Sequence, residues 1–145
     1  PPWKTCARAL WSCARPSRFM DKLERVFALQ AAFNDAINKT RHLEDISDDE
    51  WVRKFSLALI VEVGELLEAT EFKWWKNPRP IDREHLKEEI ADVFHFVVSI
   101  ALAAGMDAEE LFERFLRKHQ ENIDCQQGRS AKPGYDLREM EAPSP

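Results

Sequence analysis

Helical periodicity over four long stretches is the feature of this sequence that most restricts its fold. Apolar residues recur every three or four positions from about 20 to 40, 47 to 76, 83 to 104 and 107 to 125, which is the spacing of residues on one face of an α-helix. Asn77-Pro78 ends the second stretch and Gly105 ends the third, because proline stops a helix and glycine suits the left-handed residue beyond its end. The pattern predicts an all-α bundle of four to five helices.

Helix-capping residues stand at the starts of the later stretches. Ser47 is followed three residues later by Glu50, and Asp107 is followed three residues later by Glu110. This is the spacing of a capping box, in which the two side chains satisfy free backbone N–H groups of the first turn. Pro80 and Asp82 precede the third stretch. The second, third and fourth helices are therefore predicted to begin at these residues.

Length and composition favour a single domain with extensions at both ends. A chain of 145 residues with a 44% hydrophobic composition suits one core, and we predict a helical domain over 20–127 and an irregular tail over 128–145. Residues 1–19 are basic, contain no acid and lack the apolar segment of a secretory signal. We interpret them as an extension outside the fold that ends before Met20, with an organelle transit peptide as the alternative.

Charge and cysteine usage restrict where the protein works and what it binds. The formal net charge is −5, and it is more negative still without the basic first nineteen residues, which argues against a general nucleic-acid binder. No apolar run approaches the roughly 18 residues of a membrane span. Cys6 and Cys13 lie in the first nineteen residues, leaving Cys125 alone in the rest. We expect a soluble, cytoplasmic protein that binds neither membranes nor nucleic acid.

Two pairs of acids, each pair three residues apart, fall on apolar helix faces. Because a helix advances about 100° per residue, Glu62 and Glu65 are predicted to face the core from the second helix, and Glu89 and Asp92 from the third. Buried carboxylates need a cationic partner, which is either a Lys or Arg from another helix, a wet groove or a bound metal. Matching pairs on successive helices favour one metal site, and oxygen ligands alone favour Mg²⁺, with Mn²⁺ as a possible substitute.

Five sequence strings carry a family resemblance. Glu62-x-x-Glu65 in EVGELLEA and Glu89-x-x-Asp92 in EEIADVFHF resemble the signature of the all-α NTP pyrophosphatase superfamily, which includes MazG-like enzymes, dCTP pyrophosphatases and dimeric dUTPases. Three further strings resemble the dimeric dUTPases in particular, and they extend the likeness from about Leu29 to Tyr135. These strings are Leu29-Gln30-x-x-Phe33-Asn34, Lys73-Trp74-Trp75-Lys76 and Lys118-x-x-x-Asn122-x-x-Cys125-Gln126.

Two amides are candidates for contact with the base. Gln30 and Asn34 share the apolar face of the first helix, and an amide offers a donor and an acceptor together, as the edge of a pyrimidine requires. Hydrogen bonding between helices is the alternative reading. The resemblance implies that these amides recognise uracil, and it implies a pocket role for one tryptophan of KWWK, which we assign to Trp75.

Phosphate contacts are expected from two segments. Lys73 and Lys76 continue the acid-bearing face if the second helix extends to Lys76, where they could form an anion site. The resemblance adds Lys118 and Asn122. It also reveals a departure, because the family usually has Arg at the position of Cys125. Either Arg129 or Lys132 supplies the missing charge, or phosphate binding is weaker.

The resemblance implies a Mg²⁺-dependent attack of water on the α-phosphate of dUTP, releasing dUMP and pyrophosphate, with dUDP as a further substrate. Such a reaction removes dUTP from the nucleotide pool. One of Glu62 and Glu65 is expected to be the general base, and we favour Glu62 because it lies nearer the centre of the apolar face. A homodimer is expected, since the family pairs its bundles and a lone bundle would leave Trp74, Trp75 and several Phe residues hard to cover.

Two alternatives differ in function. One is a MazG-like or dCTP-type pyrophosphatase with the same metals and a different base pocket. The other is a metal-binding helical bundle without enzymatic activity. His95 and His119 also occur in family-like strings, DVFHF and KHQEN, and we assign them no role.

Overall fold

The computed structural model describes residues 20–135, so the expectations for 1–19 and for the end of the tail lie outside the described residues. Within this range the chain forms four helices and no strand. They are α1 (Lys22–Arg41), α2 (Asp48–Ala69), α3 (Arg83–Ala103) and α4 (Ala108–Gln126). The all-α prediction is confirmed.

The helix starts follow from local capping. Asp21 caps α1 through a capping box in which its carboxylate accepts from the backbone N–H of Glu24 at 2.8 Å, and Glu24 accepts from the N–H of Asp21 at 2.8 Å. Ser47 caps α2 by accepting from the N–H of Glu50 at 3.3 Å. Asp82 caps α3. These contacts satisfy N–H groups that the first turn of a helix leaves free.

The end of α2 differs from the sequence prediction, which extended this helix to about Lys76. The helix ends at Ala69, and Thr70 forms its C-cap. The Thr70 hydroxyl donates to the Leu67 carbonyl oxygen at 2.6 Å, and Glu71 follows with a left-handed φ of 56°. The segment with Lys73 and Lys76 is therefore a turn, and the helical facing assumed for these lysines was wrong.

The chain divides into two compact units, one ending at Asp107 and the other beginning at Ala108. In the first unit α3 packs against both α2 and α1. Val98 and Ala101 of α3 and Phe27 of α1 are buried there. Trp51 of α2 is also buried and stacks on Phe55, with 4.9 Å between ring centroids. Helix α3 therefore connects the acid-bearing helix α2 with the amide-bearing helix α1.

Large apolar side chains remain exposed on the helices. On α2, Leu57, Ile60 and Val61 are 65%, 67% and 58% exposed, and Leu29 and Phe33 of α1 are similarly exposed. Contiguous apolar surface of this kind usually marks an interaction site. Within residues 20–135 no helix is by itself long and apolar enough to cross a membrane; α3 and α4 taken together meet that requirement in length and composition alone.

Candidate active site

Three of the four predicted acids converge where α2 packs against α3. One carboxylate oxygen each from Glu62, Glu89 and Asp92 lies within 4.8 Å of the other two. Glu62 belongs to α2, and the other two belong to α3, one turn apart. The packing of two helices thus assembles a cluster of negative charge from residues that are distant in sequence.

Glu89 is the most buried member of the cluster, with 7% of its surface exposed. Its Oε1 lies 3.3 Å from Nδ1 of His85, one turn earlier on α3. Its Oε2 is buried and has no hydrogen-bond partner among residues 20–135. An oxygen in this position lacks the compensation that buried carboxylates normally receive.

Glu62 is half-buried and has an altered acidity. Burial raises the pKa of its carboxyl group above 4.5, and the negative charges of Glu65, Asp92 and Glu89 raise the pKa further. Desolvation and like charges both disfavour the ionised form. The side chain therefore binds a proton more tightly than an ordinary glutamate in the absence of a cation.

The prediction that all four acids face inward was only partly right. Glu89 is buried and Glu62 half-buried, but Glu65 and Asp92 are exposed. The two exposed acids lie about 60° from the centre of their helix faces, which places them at the margin of the packed surface. Asp92 still reaches the cluster, whereas Glu65 is outside the group of three among the described residues and acts on Glu62 through its charge.

The cluster has the chemistry of a site for a hard divalent cation. Mg²⁺ binds oxygens at about 2.0–2.1 Å, so opposite ligands stand roughly 4.2 Å apart. The oxygens of Glu62, Glu89 and Asp92 are within 4.8 Å of one another, close to that separation. A cation would also provide the partner that Glu89 Oε2 lacks.

A second polar group lies between α1 and α3. The predicted amides Gln30 and Asn34 are both buried, and Ser99, which is 1% exposed, bonds to both. Gln30 Nε2 donates to Asn34 Oδ1 at 3.0 Å and to Ser99 Oγ at 3.0 Å. Asn34 Nδ2 donates to Ser99 Oγ at 3.2 Å, and the Ser99 hydroxyl donates to Asn34 Oδ1 at 3.4 Å. We call these residues, together with His95, the amide circuit.

His95 completes the circuit from α3. Its Nδ1 lies 2.6 Å from Oε1 of Gln30. Sequence reasoning placed Gln30 and Asn34 correctly on the buried face but assigned no role to His95 and missed Ser99. A signal for Ser99 existed, because it is a polar residue inside the apolar run VVSIALAA. Such a residue needs a hydrogen-bond partner on a neighbouring helix when it is buried.

The KWWK turn has its own contacts. Lys73 forms an ion pair with Glu68, and its Nζ lies 5.7 Å from the centroid of the Phe72 ring. Trp75 meets Trp74 and Phe72 edge-on, with centroid distances of 5.6 and 6.0 Å. A cleft of about 540 Å³ beside the turn is lined by Trp75, Lys76, Asn77 and Arg79.

The second unit contains the remaining predicted phosphate contacts. Lys118 donates to Glu121 at 2.6 Å, and Lys132 pairs with the same carboxylate. Their hydrogen bonds lower the pKa of Glu121 to about 2. Arg129 bonds to Asp124 at 2.6 Å. Both residues proposed to compensate for Cys125 therefore pair with acids of α4.

Cys125 and Asn122 differ in burial although both belong to α4. Cys125 is 4% exposed, whereas Asn122 is exposed. An arginine in the buried environment of Cys125 would need a partner for its charge. The small thiol avoids that requirement.

Helix α3 contributes to both polar groups. Glu89 and Asp92 belong to the acid cluster, and His95 and Ser99 belong to the amide circuit. These four residues follow one another at spacings of three or four, so they lie along one side of the helix.

Comparison with known proteins agrees with this arrangement. The model of a family described as dUTPase matches residues 22–131. A dCTP pyrophosphatase of Enterobacteria phage T4 is 28% identical over 118 residues, which are 73% of this chain and 65% of that protein. A DNA replication protein of the same phage is 28% identical over 112 residues, which are 69% of this chain and 27% of that protein. The chain thus spans less than two thirds of the length of either relative, and no solved structure matches it.

Proposed function

Because the chain belongs to the all-α dUTPase family, a group of nucleotide pyrophosphatases, we propose that it hydrolyses dUTP to dUMP and pyrophosphate with Mg²⁺ as its cofactor. It also converts dUDP to dUMP and phosphate, and it acts as a homodimer. The observation that carries the proposal is the convergence of Glu62, Glu89 and Asp92 inside the segment that matches the family.

The acid cluster binds the cofactor in this proposal. Glu62, Glu89 and Asp92 are the ligands, and Glu65 adds negative charge at the margin. When bound there, Mg²⁺ would neutralise charge on the phosphates and lower the pKa of a water molecule. Mn²⁺ would fit the same oxygen donors.

Glu62 is the favoured general base. Its carboxyl group is half-buried within the acid cluster, which places a proton acceptor beside the proposed cofactor site. The proton comes from the water that attacks the α-phosphate, and the P–O bond to the leaving pyrophosphate breaks. Glu65, the other candidate for the general base, is exposed and contributes through its negative charge beside Glu62.

Substrate binding involves the amides and the basic residues. Gln30 and Asn34 contact the uracil edge, and Trp75 borders the base. Lys73, Lys76, Lys118 and Asn122 contact the phosphates. Lys73 and Lys118 are paired with Glu68 and Glu121, and a pair with one well-exposed partner is weak enough for a polyphosphate to exchange it.

A dCTP pyrophosphatase is the second candidate function. The observation that favours it is the 28% identity to the phage T4 dCTP pyrophosphatase over 73% of this chain. Both candidates use the same acids and differ in the base that Gln30 and Asn34 accept.

A substrate panel tests the proposal. Turnover of dUTP, dUDP, dCTP, dTTP, dATP and dGTP is measured with and without Mg²⁺. We expect dUTP to be preferred over dCTP by about 10²-fold in kcat/KM, because a mismatched base leaves buried groups unpaired. A wild-type ratio near unity, or a preference for dCTP, would rule out the dUTPase assignment.

Two variants test the base contacts. Gln30→Ala and Asn34→Ala should each reduce the preference for dUTP, since each removes a polar partner from the base. If the wild-type preference is high and both variants keep it, the enzyme is still a dUTPase but these amides do not contact the base.

A further inference from the structure

The amide circuit uses almost all of its own hydrogen-bonding capacity. A primary amide has two N–H hydrogens and two acceptor lone pairs. Gln30 donates both hydrogens, to Asn34 and Ser99, and Asn34 Oδ1 accepts from Gln30 Nε2 and from the Ser99 hydroxyl. One hydrogen of Asn34 Nδ2 goes to Ser99. One lone pair of Gln30 Oε1 faces His95 Nδ1. The groups that remain without a partner in the circuit are one hydrogen on Asn34 and the second lone pair on Gln30 Oε1.

His95 fixes this pattern through its tautomer. Gln30 Oε1 is an acceptor, and it lies 2.6 Å from His95 Nδ1. Two acceptors at that distance would repel, so Nδ1 carries the hydrogen and donates it. The hydrogen bond of one ring nitrogen decides which nitrogen of a neutral imidazole is protonated.

The hydrogen bonds of the amide circuit can also run in the opposite direction with nearly the same heavy-atom positions. We call each direction a polarity of the circuit. Without a hydrogen on His95 Nδ1, the Gln30 amide would turn over and donate from Nε2 to that nitrogen. Its Oε1 would then face Asn34 and Ser99, and the Asn34 amide would turn over in response. The Ser99 hydroxyl has one hydrogen for the two amide oxygens that then face it, so this arrangement has one hydrogen bond fewer. The groups left over include a hydrogen on Gln30 and a lone pair on Asn34, so donor and acceptor exchange places.

This exchange matches the difference between two pyrimidine edges. Uracil presents the O4 acceptor beside the N3–H donor, whereas cytosine presents the N4–H donor beside the N3 acceptor. For a base bound in a single orientation, each polarity of the circuit pairs donors with acceptors for one of the two bases. With the other base it places donor against donor and acceptor against acceptor.

We propose that His95, acting through Gln30 while Ser99 holds both amides, determines whether the site accepts a uracil or a cytosine edge. His95 and Ser99 are positioning residues for specificity. The inference rests on the proposed nucleotide hydrolysis and identifies which side chains decide its base selectivity.

Substrate selectivity in three variants provides the functional test. The kcat/KM ratio for dUTP over dCTP is measured for His95→Leu and Ser99→Ala. Each should lower the ratio about tenfold or more, because the amides lose a fixed orientation. The kcat of the preferred substrate should change much less, since the acid cluster is intact. His95→Asn, which offers an amide N–H near the position of Nδ1, should restore part of the ratio.

Two matched variants control for the chemical change itself. His119→Leu alters a histidine whose ring stacks on Phe115, and Ser56→Ala removes a hydroxyl that bonds to the Val52 carbonyl oxygen. Both lie outside the amide circuit, and their ratios should equal that of the wild type. Ratios within about twofold of wild type for both His95→Leu and Ser99→Ala would overturn the inference. Absence of any nucleotide hydrolysis by the wild type would instead refute the proposed function.

A measurement without substrate tests the circuit directly. In protein labelled with ¹⁵N-histidine, the His95 resonances are assigned by their loss in His95→Leu, and their shifts report which ring nitrogen carries the hydrogen. We expect the Nδ1–H tautomer in the wild type and a shift towards Nε2–H in Gln30→Leu, which removes the acceptor. A wild-type His95 in the Nε2–H form would overturn the inference even if the selectivity of every variant changed.

Discussion

Glu89 leaves one buried carboxylate oxygen without a partner among residues 20–135, while the other lies near His85. If the acid cluster binds Mg²⁺, Glu89→Gln should lower kcat by at least about 10²-fold, because an amide is a weaker ligand and removes one negative charge. Circular dichroism should show that the helices are retained. Glu88→Gln is the matched control, since Glu88 is exposed on the same helix. Near-wild-type turnover of Glu89→Gln would contradict the metal site.

Glu62 makes stability depend on pH in a defined direction. Its pKa is raised above 4.5 in the folded protein, so the folded state binds its proton more tightly than the unfolded state. The resulting stabilisation is present below about pH 4.5 and is lost as pH rises through the folded pKa. Metal-free protein should therefore lose this contribution towards neutral pH, and Mg²⁺ should raise Tm at pH 7 more than at pH 4.

The contribution of Glu62 is isolated by comparing wild type with Glu62→Gln in thermal melts across this range. The difference in Tm between the two proteins should change with pH above about 4.5 in metal-free buffer. Glu121 does not affect the comparison, because both proteins contain it and its lowered pKa of about 2 changes stability only below about pH 4.5. A Tm difference that is independent of pH and Mg²⁺ would contradict the prediction.

Angular position on a helix predicts burial well at the centre of a face and poorly at its margin. Glu62 and Glu89, at the centres of their apolar faces, are half-buried and buried, whereas Glu65 and Asp92 lie about 60° away and are exposed. Whether a marginal side chain is covered depends on the neighbouring helix, which sequence periodicity does not describe. For the same reason Gln30 was predictable as a buried amide, but its partner Ser99 on α3 was not.

The helix starts and three of the helix ends were predictable, whereas the end of α2 was not. Ser47 and Asp82 cap their helices as predicted, because a cap is made by side chains within three residues of the start. The end of α2 depends instead on the Thr70 hydroxyl and on a left-handed Glu71, neither of which is a typical stop signal. Pro78 directed the sequence prediction to a later position than the true end.

Two glycines should respond in opposite ways to replacement by alanine. Gly105 follows the C-cap of α3 with a φ of 79°, and Gly105→Ala should cost about 1 kcal/mol of unfolding free energy. Gly64 lies within α2 with open space around its Cα, and Gly64→Ala should stabilise by roughly 0.5–1 kcal/mol. Urea unfolding measures both. A destabilised Gly64→Ala protein would indicate that a second chain packs closely against this part of α2.

At the scale of the whole molecule, the exposed apolar residues support the proposed dimer. Leu57, Ile60 and Val61 form an apolar surface on α2, and burying such surface is the main driving force for association. Wild type should sediment as a dimer at micromolar concentration. Ile60→Glu should shift the equilibrium towards monomer, because the interface would have to bury an unpaired charge.

Lys54→Glu is the control for the dimer experiment. It places a new acid on the same helix at a position that is already exposed and charged, so dimerisation should be unchanged. A wild-type protein that sediments as a monomer would contradict the dimer prediction.

The spacing of residues along α3 also bears on the length of nucleotide that the proposed site would bind. Asp92 and Ser99 lie seven residues apart on one side of this helix, which corresponds to about 10.5 Å of rise. A nucleotide that reaches from Asp92 to the amides that Ser99 holds would lie along the helix axis, with its base edge at one end and its α-phosphate at the other. A purine, whose pairing edge stands farther from the sugar than that of a pyrimidine, would carry the α-phosphate past the acids. If the chain acts on nucleotides as proposed, it would therefore discriminate by the reach of the nucleotide as well as by its hydrogen bonds.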